Sequence, residues 1–130
     1  MTIDGKIIGL PDLAELPQWD VRMETRWTTE GVFRGIRLVD LLARYGENAS
    51  YKRLTLTANN GYKIALSPKT QEGMDTALVA YSLDGQLLDT RNKGPFWLLW
   101  PNEVDKLMTG EALGDVWIWG LIEIREVPWN

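Results

Sequence analysis

Arg53-Leu54-Thr55-Leu56-Thr57-Ala58-Asn59-Asn60-Gly61-Tyr62-Lys63-Ile64-Ala65-Leu66 decides the fold class. Leu54, Leu56 and Ala58 alternate with polar residues, as do Tyr62, Ile64 and Leu66, and Asn59-Asn60-Gly61 lies between the two runs. Period-two alternation interrupted by an Asn/Gly turn is the signature of a half-buried antiparallel hairpin. Working outward, Trp19–Trp27 alternates in the same way: Trp19, Val21, Met23, Thr25 and Trp27 share one face, and Asp20, Arg22, Glu24 and Arg26 share the other. Thr76–Leu83 and Phe96–Trp100 are continuous apolar runs, read as buried strands, with Asp84-Gly85 closing the first and Pro101 stopping the second. Trp117–Val127 reads as a final strand whose inward face changes register around Gly120, where a bulge would sit. Thr2–Gly9 reads as a small hairpin turning at Asp4-Gly5.

Helical spacing is rarer. Leu38, Leu41, Leu42 and Tyr45 fall at i, i+3, i+4 and i+7, predicting a helix over Leu38–Tyr45 that ends at Gly46. Pro11–Leu16 reads as a short helix capped by Asp12, and Asn102 would cap another carrying Val104, Leu107 and Met108. Six or seven strands with two or three short helices, not in βαβ order, make an α+β domain with mixed or antiparallel sheets. With 130 residues and no linker, repeat or low-complexity run, residues 1–130 form a single domain.

Composition removes several functions. The chain is 45% hydrophobic and 25% charged, as in ordinary globular proteins. Its net charge of −4, without a basic block, argues against nucleic-acid binding. Its most apolar stretches fall far short of the ~20 residues that a spanning helix needs, so direct membrane insertion is not expected. There is no cysteine and no histidine, which excludes Cys nucleophiles, thiolate metal sites, imidazole ligands and Ser–His–Asp catalysis. Phosphate-cradling glycine motifs and the nucleophile elbow are absent, and no carboxylate pair has acid–base spacing. No catalytic or metal-ligating residue is therefore assigned.

Three features carry what signal there is. Asn59-Asn60-Gly61-Tyr62-Lys63 concentrates amides beside a ring and a cation: either a turn tolerant of left-handed backbone, or a set of amides facing a polar heterocycle. Asp89–Trp97 places Arg91, Asn92 and Lys93 before Gly94-Pro95 at the mouth of a buried strand: either a solvated turn or a contact loop for an anionic or carbonyl-rich group. Seven tryptophans exceed what a core of this size requires, so core packing explains most of them and one is expected to line a cavity. The region around Trp117, Glu126 and Trp129 reads either as a frayed tail or as an exposed contact for a protein partner.

A resemblance joins these features. Thr25-Arg26-Trp27 with Phe33–Leu42, Ala58–Ile64, Val79–Leu88, Arg91–Pro101 and Trp119–Ile124 together resemble the sulfite-oxidase-type molybdopterin-binding domain, and specifically its short stand-alone members. The similarity runs from about Leu10 to Val127 and rests on the order and spacing of these stretches. It implies that family's α+β fold with mixed sheets and a site for a pterin or molybdopterin-like ligand. Catalytic members hold molybdenum through a cysteine thiolate placed shortly before the stretch matching Phe33–Leu42, and this chain has none. The resemblance therefore implies a pterin without protein-ligated molybdenum, in a non-catalytic sensor or accessory for a membrane signalling protein. The alternative is a molybdenum-cofactor oxidoreductase domain or subunit; a third is an interaction protein whose site has decayed. The expected location is the periplasm, as a mature form without its leader, or else the cytoplasm. A pterin needs a flat wall, amides along its donor–acceptor edge and a cation for any phosphate. Trp27 or Tyr62 would be the wall, Asn59, Asn60 and Gly94 would read the edge, and Arg34, Arg91 and Lys93 would meet phosphate or hydroxyl groups. The Asn59–Lys63 and Arg91–Trp97 stretches are expected to converge on one cleft, closed by Trp27 or Arg34.

Overall fold

The computed structural model describes residues 1–25, 28–46, 51–67, 73–89, 94–101 and 118–128. Among them are ten strands and two helices: β1 (Thr2–Ile3), β2 (Lys6–Ile7), α1 (Leu10–Leu13), β3 (Trp19–Met23), β4 (Gly31–Arg37), α2 (Leu38–Tyr45), β5 (Tyr51–Ala58), β6 (Lys63–Leu66), β7 (Leu78–Leu83), β8 (Gln86–Leu87), β9 (Trp97–Leu99) and β10 (Leu121–Pro128). The chain is α+β, mostly strand, with open sheets.

The first sheet has the order β2-β1-β10-β5-β6, in which β1 runs parallel to β10 and the other pairs are antiparallel. Its centre is β5 beside β10, with Leu54, Leu56, Leu121 and Ile124 buried on the inner face. The second sheet has the order β3-β4-β7-β8, and β9 shares with β8 the far edge of β7. β9 joins the two sheets. Leu98 bridges Ile118, and the Leu121 amide at the start of β10 donates to the Phe96 carbonyl at 2.8 Å.

Local chemistry accounts for the elements. At Asp4-Gly5 and Asp84-Gly85 both residues of each turn have φ between 49° and 83°, the double left-handed geometry that short Asp-Gly hairpins require. α2 turns Leu38, Leu41 and Leu42 inward, each worth about 1.5–3 kcal/mol when fully buried. Trp97 and Trp100 are core residues, and the Trp97 ring lies 5.6 Å from that of Phe33. Packing, not a ligand, explains these two indoles.

The structure changes several expectations. Asp12 does not cap α1. Gly9 occupies that position, and Asp12, at the third helical residue, accepts the Gly9 amide proton at 2.9 Å. β3 ends at Met23, four residues short of Trp27, because Thr25 turns the chain: its hydroxyl accepts the Thr28 amide proton at 3.0 Å. Thr76 likewise belongs to a turn, and β7 begins at Leu78. Gly46 follows α2 in extended backbone, not left-handed. Glycine is needed there because a Cβ would meet the Leu42 carbonyl oxygen at 2.6 Å and a Glu126 carboxylate oxygen at 2.7 Å. Glu126 is buried, on the inner side of β10, so it does not join an exposed contact; Trp117 and Trp129, expected beside it, lie outside the described residues. The bulge falls between Leu121 and Glu123, directly after Gly120. β4 carries no clean alternation, because its register with β7 shifts between Arg34 and Gly35. The helix expected after Asn102 lies outside the described residues.

Candidate functional site

Asn59 stands at the end of β5, where the chain turns toward β6. Its amide donates to the Gly120 carbonyl at 2.7 Å, and its side-chain Nδ2 donates to the Gly94 carbonyl at 3.1 Å. One residue thereby ties three segments together: the β5–β6 turn, the lead-in to β9 and the lead-in to β10. Gly120 has φ +65°, and a Cβ on it would fall 2.7 Å from Asn59 Oδ1, so the carboxamide lies flat against that glycine.

The turn itself is built by Asn60 and Gly61. Asn60 Oδ1 accepts the Tyr62 amide proton at 3.0 Å, and the Gly61 amide donates to the Ala58 carbonyl at 3.0 Å. This Asx turn engages the Asn60 acceptor and leaves its NH₂ group on an exposed surface. Tyr62 beside it is 43% exposed, and Lys63 is exposed next to it in β6.

Gly94 is buried. Its N–H donates to the Asp89 carbonyl, and a Cβ on it would lie 2.5 Å from the Leu88 carbonyl carbon. The glycine is required by the Leu88–Asp89 backbone pressing against it. Its N–H and carbonyl both have protein partners, so it forms the floor of the junction.

Arg34 is already engaged by other side chains. It projects from the outer face of β4, and its Nη1 donates to both Asp20 carboxylate oxygens at 2.9 and 3.1 Å. Nε donates to the Tyr81 hydroxyl at 3.2 Å, which in turn donates to Gln18 Oε1 at 2.6 Å. Gln18 Nε2 donates to the Leu13 and Leu16 carbonyls, anchoring the chain just after α1. The hydrogen bonds that Arg34 donates to Tyr81 and Asp20 raise the guanidinium pKa further above its already high ordinary value. An anion approaching Arg34 would compete with Asp20.

Of the eight residues the sequence singles out, the structure thus brings Asn59, Asn60, Tyr62 and Gly94 to one junction. Arg34 is held by Asp20 and Tyr81, and the Tyr81 carbonyl accepts the amide proton of Leu88, against which Gly94 packs. Trp27, Arg91 and Lys93 lie outside the described residues. The convergence crosses between two sheets: β5 and β6 belong to one, and β9 to the other. It is made by the Asn59 side chain, not by neighbouring strands of a single sheet. Sequence reading did not find Gly120, Asp20 or Tyr81. The sequence marks Gly120 only as a bulge position, and a charge on the wet face of a strand acquires a partner only through cross-strand register.

Among the described residues, no three His, Cys, Asp or Glu side chains come together as a potential metal site, and no helix is long and apolar enough to cross a membrane. No protein-family model matches the chain, and a search of curated proteins finds no significant match.

Proposed function

We propose that this chain is a non-catalytic pterin-binding domain with the sulfite-oxidase-type molybdopterin-binding fold, acting as a ligand sensor or accessory for a membrane signalling protein in the periplasm. The observation that supports this reading is the Asn59 junction. It gathers parts of three stretches through which the chain resembles that family, around 58–64, 94–101 and 119–124.

The donor set fits a flat heterocycle better than an ion. The Asn60 NH₂ group is exposed, Asn59 Oδ1 faces Gly120, and an exposed Tyr62 stands beside them. A pterin presents alternating donors and acceptors on one edge and a stackable face, which such neutral groups match. Asn59 and Asn60 would read the edge, and Tyr62 would cover the face. When bound, the pterin would supply a redox-active ring; the chain's own residues would hold and orient it.

The decisive measurement is titration of the purified chain with an oxidised pterin, followed by pterin fluorescence, together with mass spectrometry of any small molecule released on denaturation. Saturable binding that Asn60→Ala weakens supports the reading. No binding up to about 1 mM, a level worth only about 4 kcal/mol, and no released pterin would overturn it. Stoichiometric molybdenum with turnover would favour the oxidoreductase alternative instead.

A further inference from the structure

β3 is the outer strand of the second sheet, and among the described residues it pairs with β4 alone. Long open edges are normally blunted by proline, lysine or a bulge. Trp19-Asp20-Val21-Arg22-Met23 contains neither proline nor lysine, and its five residues pair with β4 in unbroken register. Its faces are sorted by chemistry. Asp20 and Arg22 lie opposite Arg34 and Val32 on the outer face; Trp19, Val21 and Met23 lie opposite Gly35, Phe33 and Gly31 on the inner face. Trp19 remains 38% exposed even with the Arg37 guanidinium 3.6 Å from its ring centroid.

We propose that this edge pairs antiparallel with β3 of a second copy of the chain, about a two-fold axis through Val21. In that register Asp20 faces the partner's Arg22, Arg22 faces the partner's Asp20, and Trp19 faces the partner's Met23. Asp20, held by Arg34 at 2.9 Å within its own chain, then becomes the centre of a cation–anion–cation row across the seam. The strand selects this register by charge. Side chains alternate with a period of two, so only slips of two residues keep like faces together. One such slip sets Asp20 against the partner's Asp20. The other sets Arg22 against the partner's Arg22 and Asp20 against the partner's Glu24. Like charges directly opposite destabilise a cross-strand pair, so the Val21-centred register is the one that closes. A symmetric, self-complementary patch of this kind is what a two-fold dimer requires. Five residues of edge bury less than a standard interface, so the dimer is concentration-dependent, with dissociation at about micromolar or weaker.

The test is sedimentation of the full chain across a concentration series. The wild-type mass should rise from the 14.8 kDa of one chain toward twice that value. Arg22→Glu opposes the partner's Asp20 with a second anion and should stay monomeric. Asp20→Arg combined with Arg34→Glu opposes two cations across the seam while keeping an opposite charge beside position 20 in its own chain; it too should stay monomeric. An equimolar mixture of these two proteins restores both charge pairs and should form a heterodimer at least about tenfold tighter than either self-association. Near-ultraviolet circular dichroism of the tryptophans checks that each variant is folded, and Arg22→Glu alone decides the matter if the double variant is not. A wild-type chain that stays monomeric to about 1 mM overturns the proposal. So does an Arg22→Glu chain that dimerises as strongly as wild type, or a mixture of folded variants that fails to associate.

Discussion

A Cβ on Gly61 would meet no heavy atom within 4 Å, whereas a Cβ on Gly94, at the other end of the Asn59 junction, would sit 2.5 Å from the backbone of Leu88 and Asp89. Gly61 has φ +89° and serves a turn open to solvent; Gly94 allows two backbone segments to touch. Asn59 links the two. One side of the junction is conformationally demanding but roomy, and the other is filled by protein. A ligand at this site would therefore be contacted from the turn side, by Asn60 and Tyr62, with Gly94 as a fixed floor.

The contrast can be broken experimentally. Gly94→Ala should cost about 3 kcal/mol or more, because backbone must move to admit the methyl group. Thermal or urea unfolding measures it, and a cost no larger than that of Gly61→Ala would erase the distinction. Asn59→Ala should come next, at about 1–2 kcal/mol, since it leaves the Gly94 carbonyl without its 3.1 Å donor. Gly61→Ala should cost about 1 kcal/mol, the strain of a side chain in left-handed backbone, with no steric term. Asn60→Ala should change unfolding by no more than about 0.5 kcal/mol, yet weaken pterin binding, which separates a ligand role from a turn role. Equal losses in stability and affinity would make Asn60 a turn residue only.

The smallest effect concerns pH. No histidine is present, so pterin affinity should be flat between about pH 6 and pH 8. Stability should not be wholly flat. Burial lowers the pKa of the Met1 ammonium from its ordinary 8.0. The unfolded chain then binds the proton more tightly than the folded one, so stability rises as pH climbs toward and through 8 and is lowest below that window. Urea midpoints measured across this range check the sign, and a fall with rising pH would contradict it.

Some elements were legible because their reasons are local. The α2 limits and the two Asp-Gly turns follow from 3.6-residue spacing and from residues that tolerate positive φ. The β5–β6 hairpin follows from alternation around Asn59–Gly61, and its buried Leu54, Leu56, Ile64 and Leu66 are those the alternation selects. β4 was not legible, although it is central to the second sheet. Its register with β7 shifts beside Gly35, and the shift removes the alternation that would announce a strand.

The fold class, most strand and turn positions, the lack of thiol and imidazole side chains, and the two loops where amides gather can all be read along the chain. Those properties depend on residue type and on spacings of two to four positions. What each polar group does depends on which distant segments fold against it. Asn59 stays exposed, but its partners Gly94 and Gly120 come to it from 35 and 61 residues away. Arg34 could have been an open cation until register set it against Asp20, and Glu126 an exposed acid until the end of α2 packed over it. Hydrogen-bond partners are fixed by proximity in space, and proximity across two sheets is written in their pairing and packing, not in any local run of residues.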